Sequence, residues 1–201
     1  MRALLLIDIQ NDFIPGGALA VLGGDQIIPL ANQLQPHFDL VVATQDWHPQ
    51  QHKSFASNHQ NKNVFEKIYF NGLEQVLWPD HCVQGTVGAE FSPGLNLNKV
   101  EAIFRKGTDT EIDSYSGFYD NGHRKSTGLA DYFNGKNINQ VYVLGLAGDF
   151  CVYFTAKDAI ELGFETFIIQ DAVRAINAND FEKVQADILR RGGKIINSQS
   201  V

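Results

Sequence analysis

The sequence predicts a three-layer α/β/α domain on a mainly parallel sheet of Rossmann-like topology. Two observations carry this. The apolar runs are continuous rather than alternating, which is the pattern of strands buried on both faces. Helical patterns lie between several of them, as crossovers between parallel strands require. The runs are residues 3–7, 40–44, 102–105, 141–146, 166–170 and, more weakly, 194–197. No internal repeat, low-complexity tract or linker interrupts them, so residues 1–201 read as one domain, long enough to bury a substantial core.

The helices follow the same logic. Ile27, Leu30, Ala31 and Leu34 form one face after Asp25, the expected N-cap, and Pro36 marks the end. After the fourth run, Val152, Ala156, Ala159, Ile160 and Gly163 recur at helical spacing. Phe181, Val184 and Ile188 share a face of the last helix, which closes on Arg190-Arg191 and then Gly192. Residues 46–99 have little periodicity and many turn formers, which in a compact domain marks a functional loop.

Composition narrows the function. Apolar residues make up 44% and charged residues 19%, as in ordinary globular proteins. The net charge of −7 without a basic stripe argues against nucleic acid and against an anionic membrane surface. Cys82 and Cys151 are too few for a disulfide framework, which points to a reducing, cytoplasmic setting. The apolar start is cut short by Asp8, so neither a signal peptide nor a membrane span is expected. Oligomeric state is not legible, and a homo-oligomer stays open.

In open α/β sheets the ligand crevice lies outside the carboxyl ends of the strands. Four chemically capable residues fall there: Asp8, Asp46, Lys106 and Cys151. A cysteine between a strand end and a helix start feels the positive end of the helix dipole, which favours the nucleophilic thiolate. Asp8 offers a proton acceptor for it and Lys106 a stabiliser of negative charge. Singly, each has an ordinary structural role as a turn former, a surface lysine or a small buried residue. Their coincidence at one edge is the stronger signal.

A second constellation is Asp46-Trp47-His48, followed by Trp78-Pro79-Asp80-His81. Asp and His two apart in an extended segment point to one side. A distant His would complete an Asp/His set open to substrate, with water in the remaining positions. His52 is either a fourth ligand or an outer partner, and His59 is a nearby competitor. Cys82, beside His81, is expected to turn into the core. Phe13, Trp78 and Tyr115 lie in loops; they either pack those loops onto the core or wall a flat aromatic substrate.

Six blocks in order resemble the nicotinamidase branch of the isochorismatase-like cysteine hydrolases. They are Leu6-Ile7-Asp8-Ile9-Gln10-Asn11-Asp12-Phe13, Gln45-Asp46-Trp47-His48-Pro49, Trp78-Pro79-Asp80-His81-Cys82-Val83, Phe104-Arg105-Lys106-Gly107, Asp113-Ser114-Tyr115-Ser116-Gly117-Phe118 and Gly145-Leu146-Ala147-Gly148-Asp149-Phe150-Cys151-Val152. The resemblance implies an amidase that converts nicotinamide to nicotinate and ammonia in NAD salvage and also takes pyrazinamide. It implies Asp8, Lys106 and Cys151 as the triad. It also implies one divalent ion, zinc or else iron or manganese, on Asp46, His48 and His81. It further implies an oxyanion hole at the backbone N–H groups of Ala147 and Cys151, with a cis peptide before residue 148. Many relatives carry Thr where this chain has Gly148. The competing readings are another small-amide hydrolase of the same superfamily, a metallohydrolase in which Cys151 is a bystander, and a binding protein that retained the pocket.

Overall fold

The computed structural model describes residues 1–201. Its strands in chain order are β1 (Arg2–Ile7), β2 (Leu40–Asp46), β3 (Lys67–Phe70), β4 (Leu73–Val76), β5 (Val100–Lys106), β6 (Gln140–Gly145), β7 (Glu165–Val173) and β8 (Lys194–Ile196). Six of them pair in the order β5-β2-β1-β6-β7-β8, all parallel. Chain order runs outward in both directions from the β1/β6 boundary. That boundary is the topological switch point, where open α/β sheets present their crevice.

Side-chain alternation along the central strands feeds two cores. Leu4 and Leu6 of β1 join Val41, Ala43, Tyr142 and Leu144 beneath α1 (Ile28–Leu34). Ala3, Leu5 and Ile7 join Val42, Val141 and Val143 on the opposite face. There they meet α2 (Leu129–Gly135), α3 (Tyr153–Glu161) and α4 (Ala178–Arg190) through Phe133, Ala156, Ala159 and Ile188. Each fully buried Leu or Ile contributes about 1.5–3 kcal/mol, so the continuous apolar runs are explained by burial on both faces.

The structure departs from the sequence reading in four places. Asp25 lies inside a short 3₁₀ turn, Gly24–Ile27, and caps nothing; α1 continues directly from that turn. A second 3₁₀ turn, Gln35–His37, extends α1 past the expected stop, with Pro36 inside it. Strand β5 is an edge strand, so Glu101, Ile103 and Arg105 face outward instead of being buried. The irregular stretch contains the antiparallel β3–β4 hairpin, whose turn is Asn71-Gly72 with both residues at positive φ. The end of the chain behaves as its composition suggests. Asn177 caps α4 by accepting from the N–H groups of Asn179 and Asp180, and Gly192 takes a left-handed φ of 91° after it.

Candidate active site

The carboxyl ends of β1, β2, β5 and β6 bring the four strand-end residues together. Asp8 follows β1 with φ 47°, which turns the chain off the sheet and drops its side chain into the interior. Asp46 and Lys106 are the last residues of β2 and β5 and are register partners. Cys151 lies in the Gly148–Val152 turn between β6 and α3. All four are buried.

Lys106 is the hub. Its Nζ is 2.8 Å from Asp8 Oδ2 and 3.4 Å from Cys151 Sγ. It also donates to the Ser114 carbonyl at 3.0 Å and to Asp46 Oδ1. Burial opposes its charge, but Asp46 and Asp8 outweigh it, so Lys106 holds its proton more tightly than a free lysine. For Asp8, burial raises the pKa to about 6 against the pull of Lys106. Thr44 Oγ1 donates to Asp8 Oδ1 at 2.6 Å and fixes the carboxylate.

The thiol departs from expectation. Burial pushes the Cys151 thiol well above its ordinary value; Lys106 opposes this, while Asp8 and Asp46 add to it. In addition, the residue sits in a π-turn before α3 rather than on a regular first helical turn. Desolvation therefore outweighs the helix dipole, and the resting pair is a thiol beside a carboxylate.

The second constellation also assembles. His48 Nε2 is 3.6 Å and His81 Nε2 3.9 Å from Asp46 Oδ2, the oxygen turned away from Lys106. Each ring is fixed from behind: His48 Nδ1 donates to the Gly107 carbonyl at 2.9 Å and His81 Nδ1 to the Pro79 carbonyl at 2.8 Å. Both Nε2 lone pairs are thus free to face one point with Asp46, the arrangement ligating histidines adopt. Gly107 makes this possible. Its φ is +61°, and a Cβ there would stand 2.2 Å from the His48 ring. Burial opposes charge on Asp46, but Lys106 and His48 hold its carboxyl well below the usual range.

His52 is not part of this set. Its Nδ1 accepts the Ser54 N–H at 3.2 Å and lies 2.7 Å from Ser54 Oγ, which leaves the proton on Nε2. The ring packs on His48 with centroids 4.4 Å apart. His59 is tied to the Lys53 carbonyl through its Nε2 instead. Cys82 is buried in the core, as expected.

One cleft contains Cys151, Ala147, Asp46 and His81, with Phe13, Trp78 and Tyr115 among its walls. Trp78 Nε1 donates to the Tyr115 hydroxyl at 3.2 Å, and Phe13 meets the His81 ring edge-on at 5.5 Å. The Ala147 N–H has no acceptor within the protein. The cis peptide lies between Leu146 and Ala147, one residue before the expected place. Gly148 is governed instead by space: a Cβ there would lie 2.7 Å from Val173 Cγ1 and 2.9 Å from the Phe181 ring.

The sequence reading missed Leu19, Asp113, Phe150 and Ile176, which also line the cleft. Ile176 is brought there by Asp149, whose carboxylate accepts the N–H groups of Ile176 and Asn177 at 3.0 and 2.9 Å. Gly148 N–H adds a bond to the Arg174 carbonyl at 2.8 Å. Asp149 stood inside a quoted block, but its partners lie more than twenty residues on and are main-chain groups, which leave no mark in a sequence.

A model of the isochorismatase domain matches residues 2–200. The chain belongs to the isochorismatase family. Within that family it is 48% identical over 200 residues to a nicotinamidase from Acinetobacter baylyi, covering 99% of this chain and 94% of the relative. It is also similar to the solved structure of the Acinetobacter baumanii nicotinamidase/pyrazinamidase, with TM-score 0.97, 48% identity and coverage of 99% and 97%. A Pyrococcus horikoshii pyrazinamidase solved in complex with zinc matches with TM-score 0.80 and 38% identity, covering 98% of both chains. The family's α/β fold is the one described above.

Proposed function

We propose that the chain hydrolyses nicotinamide to nicotinate and ammonia, in NAD salvage, through a thioester on Cys151, and treats pyrazinamide likewise. The observation that carries this is the contact of Lys106 Nζ with both Asp8 and Cys151 in an aromatic-walled cleft that also holds Asp46 and His81. The nicotinamidase relatives support the substrate.

Asp8 is the proton acceptor and Cys151 the nucleophile. With Asp8 ionised above a pKa of about 6 and the thiol protonated, the proton passes from Sγ to the carboxylate as Sγ bonds to the amide carbon. Lys106 stabilises the negative charge during that transfer. The carbonyl oxygen becomes an oxyanion that accepts from the Ala147 and Cys151 N–H groups. Asp8 then protonates the departing nitrogen, the C–N bond breaks, and ammonia leaves a thioester. Asp8 next takes a proton from water as its oxygen attacks the acyl carbon; the C–S bond breaks, and Asp8 returns the proton to Sγ. Phe13, Trp78 and Tyr115 hold the ring so that the carboxamide faces Sγ.

Asp46, His48 and His81 fit one divalent ion: a carboxylate oxygen and two imidazole lone pairs, with both rings locked by carbonyls. We assign zinc, on the precedent of the Pyrococcus relative; iron or manganese would suit the same donors. When bound, it would supply a positive centre to orient the substrate ring. One domain spanning residues 1–201 carries the activity. The two unpaired thiols suit a reducing cytoplasm, and no helix is long and apolar enough to cross a membrane.

Ammonia release from nicotinamide and from pyrazinamide tests the proposal. Cys151→Ala is expected to lower kcat by more than about a thousandfold while leaving metal content unchanged. Turnover within about tenfold of wild type would sink the covalent route. A folded, reduced, metal-loaded protein inert toward both amides would redirect the search to other small amides.

A further inference from the structure

Strands β1 and β2 pair only as far as Leu6 and Ala43. Beyond Ile7 the chain turns away at Asp8, so the end of β2 loses its neighbour on that side while β5 holds the other through Lys106. A side chain takes the missing strand's place. The Asp46 N–H donates to Gln10 Oε1 at 2.8 Å, and Gln10 Nε2 donates back to the Asp46 carbonyl at 2.8 Å. The second Nε2 hydrogen goes to the Ala89 carbonyl at 2.8 Å. Gln10 is fully buried, and its carboxamide grips both main-chain polar groups of one residue as a paired strand would.

We infer that Gln10 is the positioning residue for Asp46. It fixes the backbone from which one carboxylate oxygen meets Lys106 while the other faces His48 and His81. Only glutamine meets the requirement. Asparagine is one methylene shorter, and glutamate has no hydrogen to donate to the two carbonyls. The inference rests on the reading that Asp46, His48 and His81 hold an ion, and it adds a residue behind that set whose loss weakens the ion's hold.

Cobalt(II) titration of the metal-free full chain, followed by visible absorption, tests this. Gln10→Met keeps the volume and removes the amide; Gln10→Asn keeps an amide but retracts it, and serves if the first variant fails to fold. Gln45→Met is the control. Gln45 is the neighbouring buried glutamine and also bonds the Ala89 carbonyl, at 2.9 Å, but not the Asp46 backbone. Both Gln10 variants are expected to lose about 10–100-fold in cobalt affinity with altered absorption bands, and Gln45→Met to stay within about twofold of wild type. Unchanged affinity and bands in the Gln10 variants, or an equal loss in Gln45→Met, would overturn the inference alone. Wild-type protein that binds no cobalt, or His81→Ala that binds it normally, would overturn the ion assignment as well.

Discussion

Asp8 and Cys151 have one proton between them at neutral pH, and their surroundings decide where it rests. Both are buried, and desolvation raises both pKa values against the pull of Lys106, to about 6 at Asp8 and well above the ordinary thiol value at Cys151. In the proposed mechanism Asp8 works as the ionised form, so activity is expected above that value and is expected to be lost as pH falls through it. The expected kcat/KM profile has an acid limb with its midpoint near 6; a profile flat down to the ordinary carboxylate value of about 4 would contradict this. The meeting of Asp8, Lys106 and Cys151 was legible in the sequence because a single rule, the strand end, locates all three. Gln10 and Thr44 were not, because their importance lies in bonds to groups 36 residues away, one of them a bare backbone. The state of the thiol was also illegible. Burial decides it, and a sequence gives the helix dipole but not the desolvation.

Residues 147–151, the end of β7 and the start of α4 form one continuous piece. Asp149 and Gly148 tie the 174–177 segment to the Gly148–Val152 turn, and Phe181 of α4 packs against Gly148. The helical period of α4 was readable, but only Ile188 of its apolar face is fully buried, and the work of Phe181 at Gly148 was hidden by distance in the chain. Gly148→Thr is expected to cost about 1–3 kcal/mol by overpacking. In a Phe181→Ala background the same change should cost less, by about 0.5–3 kcal/mol of coupling in a denaturation cycle. Additive costs would mean that the ring is not what excludes the side chain.

Across the whole molecule, the sheet order sets Asp8 and Cys151 on either side of the β1/β6 boundary and Asp46, His48 and His81 on the β2 side. Ion binding ties β2 to the irregular loops that carry His48 and His81. Any ligand specific to the folded chain stabilises it, by about 2.7 kcal/mol at a hundredfold excess over Kd. Zinc is therefore expected to raise the melting temperature of chelated protein by about 5–10 °C for a chain of this size, and His81→Ala to lose the response. An equal rise in His81→Ala would place the ion elsewhere. The parallel sheet was readable from its buried strands. The outward face of β5 was not, because an edge position depends on strand order, and strand order depends on the long connections.

Asp46 gives one oxygen to Lys106 and turns the other toward His48 and His81. A lesion at position 46 therefore strikes both systems in a single allele, and its phenotype cannot be parsed into ion loss and thiol failure. His81 touches only one of them. Genetic dissection of this enzyme should begin at position 81, with position 46 read afterwards as a combined loss.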